Sequence, residues 1–340
     1  MKVPMSHPRP VVVLTPVKNE AHILRQFIES TLNFADYIVI ADQNSSDGSV
    51  AIAEEFDQVL VIENKESLFD NAARSSLLVA KARSAFGADS ILFGVDADEI
   101  FIESPQSQNE IDQIRDLPRG TTIMVDKPSL IGSTDRVIYY GSVFPLGYVD
   151  DGSEYSGTTF HSRRVPSSEG AQDFHSLHIR FLHLDALSFD EVFSKRRLYS
   201  VREVDNGGIP LRVRWRRNAR RFIKKPEQHV CKPDILISET VVKMKLDCQS
   251  IRRPRPLWWD LEVLKRFEKN GFRRYFFDDI WYVNWESILS EAKSHGCTDL
   301  PGRIERPGRL VNGLRQSGVL LLYCAISLRK KLRDFRFLNK

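Results

Sequence analysis

Four short apolar runs, separated by segments of helical periodicity, constrain the amino-terminal part of the chain more than any other feature. VVVLT (11–15), YIVIA (37–41), QVLVIE (58–63) and SILFGV (90–95) are almost continuously apolar and rich in β-branched residues. A strand with one solvated face alternates apolar and polar residues, whereas a strand covered on both faces does not. Between the runs lie EAHILRQFIESTLNF (20–34), VAIAEEF (50–56) and NAARSSLLVAKARSAFG (71–87), the last stopped by Gly87. This alternation specifies an α/β architecture with a mostly parallel, Rossmann-like sheet flanked by helices. With 340 residues, 42% of them hydrophobic and 28% charged, the chain can form one large globular domain or a domain with an appendage.

Open α/β sheets bind ligands beyond the carboxyl ends of their strands. The fourth run ends there in FGVDADEIF (93–101), where Asp96, Asp98 and Glu99 crowd three carboxylates into four positions. Ionised carboxylates this close repel one another and are costly to bury unpaired, so a cation is expected among them. A D-x-D triplet at a strand end can hold Mg²⁺ or Mn²⁺, which take oxygen ligands and share their shell with substrate phosphates. The first run leads into TPVKNEA, which brings Asn19 and Glu20 to the same edge, and the second into ADQNSSDGS, which brings Asp42, Ser46 and Asp47. Together they make one polar crevice able to accept hydrogen bonds from ribose hydroxyls and a base N–H. Ser46, Asp47 and Ser49 also have the chemistry of a turn and helix cap, and Glu20 that of a first-turn helix acid.

Beyond residue 130 the rhythm breaks. GYVDDGSEY (147–155) reads as a Gly/Asp turn, SLHIRFLHLD (176–185) as a strand and FDEVFSKRRLYSVREV (189–204) as a helix. Charge is lopsided: residues 1–130 hold 11 Lys and Arg against 20 Asp and Glu, residues 131–340 hold 38 against 25. The basic half should face an anionic partner. LRVRWRRNARRFIKK (211–225) combines eight basic residues with a helical stripe of Leu211, Trp215, Ala219, Phe222 and Ile223. That pattern suits a membrane surface, and equally a helix whose stripe is packed on the protein. SLRKKLRDFRF (327–337) is a second basic–aromatic patch, preceded by 13 uncharged residues, QSGVLLLYCAISL (316–328), too few to span a bilayer. No stacking motif points to nucleic acid. Cys231, Cys248, Cys297 and Cys324 form no paired motif and MKVPMSHPRP has no apolar signal core, so a reduced, cytoplasmic setting is expected.

Three segments carry a family resemblance: VVVLTPVKNEAHILRQFIES, YIVIADQNSSDGSVAIAEEF and DNAARSSLLVAKARSAFGADSILFGVDADEIF. Together they resemble a family 2 glycosyltransferase of GT-A fold over residues 10–105. IRFLHLDALSFDEVFSKRRLYSVRE is similar, more thinly, to the histidine strand and following helix of bacterial lipopolysaccharide-type members. The resemblance implies a catalytic domain over 1–200, with a nucleotide half at 10–105 and an acceptor half at 106–200, then a basic, largely helical extension over 201–340. It implies a nucleotide-sugar donor, a divalent metal ion (Mn²⁺ or Mg²⁺) on its diphosphate and transfer to a saccharide or lipid-linked acceptor hydroxyl, with inversion, in cell-surface polysaccharide or lipopolysaccharide synthesis. Pro16 and Glu20 would border the nucleoside, Asp42 would meet the base, and Arg74 would lie near the diphosphate or donor sugar. Asp96 and Asp98 would be the metal pair, with His183 completing the shell. The acceptor hydroxyl must lose a proton. The Glu-Asp dipeptide that supplies the base in many inverting members is missing, which leaves Asp151, then Asp150 and Glu154, as candidates. Glu99 reads as a supporting residue. A lipid-linked acceptor would place the enzyme on the inner face of the plasma membrane through 211–225 and 327–337. The rivals are a nucleotidyltransferase, although TPVKNEA lacks that class's glycine-rich loop, and a catalytically silent module docking on membranes.

Overall fold

The computed structural model describes residues 9–64, 70–156, 163–170, 172–207, 209–219, 230–249 and 251–338. Along the chain, β1 (Val11–Val17), α1 (Ala21–Thr31), β2 (Tyr37–Asp42), α2 (Ser49–Ala53), β3 (Val59–Glu63), α3 (Asn71–Phe86) and β4 (Ile91–Gly94) follow the alternation read from the sequence. Then come β5 (Glu99–Ile102), α4 (Ser107–Arg115), β6 (Thr122–Asp126), β7 (Ser129–Ile131), β8 (Val137–Ile138), β9 (Val143–Val149) and β10 (Asp173–Ala186). The rest is α5 (Phe189–Asp205), α6 (Leu211–Ala219), β11 (Val230–Cys231), α7 (Ile235–Lys243), α8 (Trp258–Asn270), α9 (Trp285–Ser294) and α10 (Arg309–Leu338).

The chain divides into two units, Met1–Ser188 with His229–Arg253, and Phe189–Gln228 with Pro254–Lys340. The first is an α/β unit with helices flanking one large sheet of order β11-β8-β7-β10-β6-β9-β4-β1-β2-β3, with β5 paired to β10. β3, β2, β1 and β4 run parallel, and β9 lies antiparallel between β4 and β6. β1 lies between β2 and β4, so successive crossovers leave it in opposite directions. In open α/β sheets such a switch point is where a ligand crevice forms, here at the carboxyl ends of β1, β2 and β4.

Alternate residues of the strands feed the two faces. Val11, Val13, Ile38, Ile40 and Phe93 join α1 residues Ile23, Leu24, Phe27 and Ile28 in one core. Val12, Leu14, Val39 and Leu92 meet Leu78, Val79, Ala82 and Phe86 of α3 in the other. α3 starts where Asp70 accepts hydrogen bonds from the Ala72 and Ala73 N–H groups, at 2.8 and 3.1 Å.

The second unit is helical. Its core holds Leu198, Val201, Trp259, Val263, Leu264, Phe267, Tyr275, Trp281 and Trp285. Within it Arg197 grips the buried Asp260 with two hydrogen bonds of 2.7 and 2.8 Å. Two boundaries differ from the sequence reading. The division expected at residue 200 falls at 188/189, because the helix after β10 packs its Leu198 and Val201 into the helical core. Residues 229–253 return to the sheet unit, where β11 pairs with β8 and Ile237 of α7 enters the first core.

The basic helix expected over 211–225 is described only to residue 219; residues 220–225 lie outside the described residues. Trp215 packs on α10 so closely that a Cβ on Gly318 would sit 2.2 Å from its ring, and its Nε1 donates to the Phe277 carbonyl at 2.6 Å. The stripe expected to meet a membrane is thus covered at its tryptophan. The uncharged run 316–328 lies inside α10, and among the described residues no helix is long and apolar enough to cross a membrane.

Candidate active site

The crevice is lined by residues that three strand ends deliver. β1 pairs with β2 through Val17 opposite Asp42, and with β4 through Leu14 opposite Gly94. Pro16, Asp42 and the D-x-D segment therefore share one edge of the sheet. Asp42 is only 7% exposed; its Oδ2 accepts the Ser45 N–H at 3.0 Å, while its buried Oδ1 has no hydrogen-bond partner. A buried carboxylate oxygen without a donor is costly in the free protein.

Asn19 and Asp47 prove to be stitching. The Asn19 side chain accepts the Ser46 N–H at 2.8 Å, and Asp47 accepts the N–H groups of Ala21 and Ser49 at 2.9 and 3.0 Å. They sew the loop after β1 to the loop after β2, as the turn-and-cap reading implied. Glu20 donates its N–H to the Ser49 hydroxyl, and its carboxylate is ion-paired with Arg253 at 2.6 Å. His22 lies 3.9 Å from the same carboxylate; burial and the Arg253 charge lower its pKa to about 3, so it stays neutral. Arg74 sits in the first turn of α3, where it donates to Asn71 at 2.8 Å.

The carboxylates after β4 are resolved by charge. Glu99 is fully buried; it receives Lys127 and Arg164, each at 2.6 Å, and the Asp96 N–H at 2.9 Å. Burial alone would push its carboxyl up, but Arg164 and Lys127 outweigh that and hold it at about 2. Arg164 also pairs with Asp96 at 2.5 Å. Gly94 makes this approach possible: a Cβ there would lie 2.3 Å from Arg164 Cβ. The cations among the clustered carboxylates are thus protein side chains, Arg164 and Lys127, and Asp96, expected as a metal ligand, is engaged by one of them.

Asp98 remains, with His183. β10 brings His183 opposite Glu99 of β5 and Ser129 of β7. Its Nε2 lies 3.6 Å from Asp98, and its Nδ1 3.2 Å from Asp185. Burial pulls the imidazole pKa down, but Asp185 and Asp98 more than restore it, leaving it raised. Nδ1 has its hydrogen-bond contact with the Ser129 hydroxyl at 3.5 Å and the Asp185 carboxylate lies nearby, which leaves Nε2 facing Asp98. Asp98 and His183 therefore fit as two ligands of a divalent cation. Among the described residues no group of three or more His, Cys, Asp or Glu is placed to hold a metal. The other positions would fall to phosphate oxygens and water, which is how Mg²⁺ is commonly held.

The expected bases are elsewhere. β9 runs antiparallel to β4 with Val149 opposite Ile91, so Asp150 and Asp151 emerge at the amino end of β4, the edge opposite the crevice. Asp150 is fully buried and clasped by Arg83 of α3 through bonds of 2.8 and 2.6 Å. Asp151 accepts the Tyr148 hydroxyl at 2.7 Å, the Ser153 N–H at 2.8 Å and the Ser168 hydroxyl. Burial would raise its pKa, but these donors drive it well below the usual carboxylate range. Glu154 is exposed, next to Ser153, whose carbonyl accepts from Arg83 at 2.7 Å. All three belong to a structural corner, not to the crevice. The sequence reading missed Lys127, Arg164, Asp185 and Arg253.

Residues 12–122 match the family model described as glycosyl transferase family 2, the stretch that builds the crevice from β1 through the D-x-D segment. No curated protein matches the chain. Among solved structures it is similar to a 4-diphosphocytidyl-2C-methyl-D-erythritol synthase, with 18% identity over 40% of this chain and 66% of that one, at a TM-score of 0.28. It is also similar to glucosyl-3-phosphoglycerate synthase from Mycobacterium tuberculosis, in complex with Mn²⁺, uridine diphosphate and glucosyl-3-phosphoglycerate (17% identity, 36% and 45% of the two chains, TM-score 0.26). HddC from Yersinia pseudotuberculosis aligns over 54% of this chain and 96% of its own at 10% identity and a TM-score of 0.28. The chain thus spans less than two thirds of the length of the first two.

Proposed function

We propose that the protein is a glycosyltransferase that moves a sugar from a nucleotide donor to an acceptor hydroxyl. The observation that carries this reading is the unpartnered, buried Oδ1 of Asp42, set at the switch point of a segment that matches glycosyl transferase family 2. In this reading Asp42 accepts a base N–H, Glu20, steadied by Arg253, accepts from the ribose, and Pro16 borders the nucleoside. Asp98 and His183 would hold Mn²⁺ or Mg²⁺, which supplies positive charge to the leaving diphosphate when bound. Arg74, at the amino end of α3, adds a cation on the same edge. Arg164 and Lys127 fix Asp96 and Glu99, so the segment bearing Asp98 enters the reaction already ordered.

Inversion is the proposed course, with the proton taken by a carboxylate on the acceptor side of Asp98; Asp150, Asp151 and Glu154 do not reach it. The proposed setting is cell-surface polysaccharide or lipopolysaccharide synthesis on a lipid-linked acceptor, with an anionic membrane as partner of the carboxyl-terminal basic segment 327–337. The test is incubation with a panel of nucleotide sugars, Mn²⁺ and lipid or saccharide acceptors, followed by product analysis. Release of nucleoside diphosphate with a new β- or α-glycoside supports transfer and reveals its stereochemistry. Release of pyrophosphate from a nucleoside triphosphate and a sugar phosphate would mark a nucleotidyltransferase instead.

A further inference from the structure

One side of α10 is turned inward. Arg315 and Val319 are 2% and 1% exposed, and Gly318 lies under Trp215. Outward from Gln316 to Leu328 the chain presents Leu320, Leu321, Cys324, Ala325 and Leu328, and no charged residue occurs anywhere in that stretch. Leu321 is 70% exposed, Leu320 56% and Leu328 60%; Leu314, one turn before, is 56%. The solvent side of a surface helix is normally its charged side. Leu314, Leu321 and Leu328 recur every seven residues, so the leucines form a continuous strip. Immediately after it, residues 329–338 carry five Arg or Lys and one Asp.

We infer that this outward face of α10 is a membrane-docking surface, lying in the headgroup region of an anionic bilayer with its leucines turned to the acyl chains. This deepens the membrane-partner reading above, and assigns the contact to α10 in place of α6, whose Trp215 is covered. Two arguments choose the lipid over a second copy of the chain. Parallel self-pairing would set one 329–338 segment against another. Antiparallel pairing would set it against Arg303 and Arg309 at the other end, so each register brings like charges together. An anionic lipid surface complements the same cluster. The uncharged stretch, roughly 20 Å long at 1.5 Å per residue, is too short to cross a bilayer but long enough to lie along one.

The test uses the full chain with vesicles of phosphatidylcholine alone and of phosphatidylcholine mixed with phosphatidylglycerol. Wild type should sediment with the mixed vesicles and not the neutral ones, and be released by high salt. Leu320→Glu/Leu321→Glu should lower the bound fraction at least about tenfold while leaving the melting point unchanged, because both side chains are exposed. In a Cys231→Ser/Cys248→Ser/Cys297→Ser background, an environment-sensitive dye on Cys324 should shift to the blue when mixed vesicles are added. The inference is overturned if wild type ignores anionic vesicles, if the double variant binds them equally well, or if the dye does not shift. A wild-type dimer that the double variant converts to monomer would assign the face to a second copy and overturn it too. None of these readouts involves a sugar donor, so glycosyl transfer can fail or stand separately.

Discussion

Replacing Glu99 by Gln removes one charge from the centre of the sheet unit and leaves two cations facing a neutral amide. A carboxyl whose pKa drops from its ordinary 4.5 to about 2 on folding contributes about 3 kcal/mol at neutral pH. Breaking a buried ion pair by deleting one partner costs about 3–5 kcal/mol, so the two routes to the magnitude agree. In a unit of this size that is a fall in melting temperature of roughly 8–15 °C. The sign with pH follows from the lowered pKa. The stabilisation is complete above pH 4.5 and is lost as pH falls from there towards 2. Circular dichroism melts of wild type and Glu99→Gln from neutral pH downward should therefore converge as the wild type loses the contribution. Lys127→Met should cost less, since Arg164 still neutralises Glu99. A Glu99→Gln protein that melts with wild type but no longer binds nucleotide would refute the reasoning and make Glu99 a donor-pocket residue.

Asp42→Asn should weaken nucleoside diphosphate binding roughly 10- to 100-fold, the worth of a hydrogen bond to a charged group, with the melting point of the free protein unchanged or raised; titration calorimetry reads both the affinity and its loss. Asp151→Asn should leave kcat within about threefold of wild type, because the residue lies at the far edge of the sheet, whereas a general base is worth 10²–10⁴-fold. Arg83→Met should lower the melting point by roughly 6–12 °C by stranding the buried Asp150, without changing KM for the donor; parallel melts and steady-state kinetics check it.

The parallel half of the sheet was legible because its strands declare themselves in consecutive residues, and a D-x-D triplet after such a strand falls at the carboxyl edge of the sheet by geometry alone. His183 was reachable only through the resemblance of its strand. Arg164, Lys127 and Arg253 were not legible, since each meets a carboxylate 28 or more positions away and no local pattern marks which arginine will do so. Asp150 and Asp151 illustrate a different loss. Their turn chemistry was read correctly, but which edge of a sheet a turn occupies depends on strand direction, and β9 runs against β4. Trp215 failed similarly: a helical stripe shows in the sequence, while the helix that covers it is a hundred residues on.

The measurement that bears most directly on the account is the melting temperature of the protein with nucleoside diphosphates and nucleotide sugars, each with Mn²⁺, Mg²⁺ or EDTA. A ligand bound only by the native state raises stability by about 2.7 kcal/mol at a hundred times its Kd. At least one nucleotide should raise the transition with metal and not with EDTA, and Asp98→Asn and His183→Ala should each abolish the rise while Asp151→Asn keeps it. If no nucleotide shifts the transition with any metal, or if Asp98→Asn responds as wild type does, the crevice at the ends of β1, β2 and β4 is not a metal-assisted donor site.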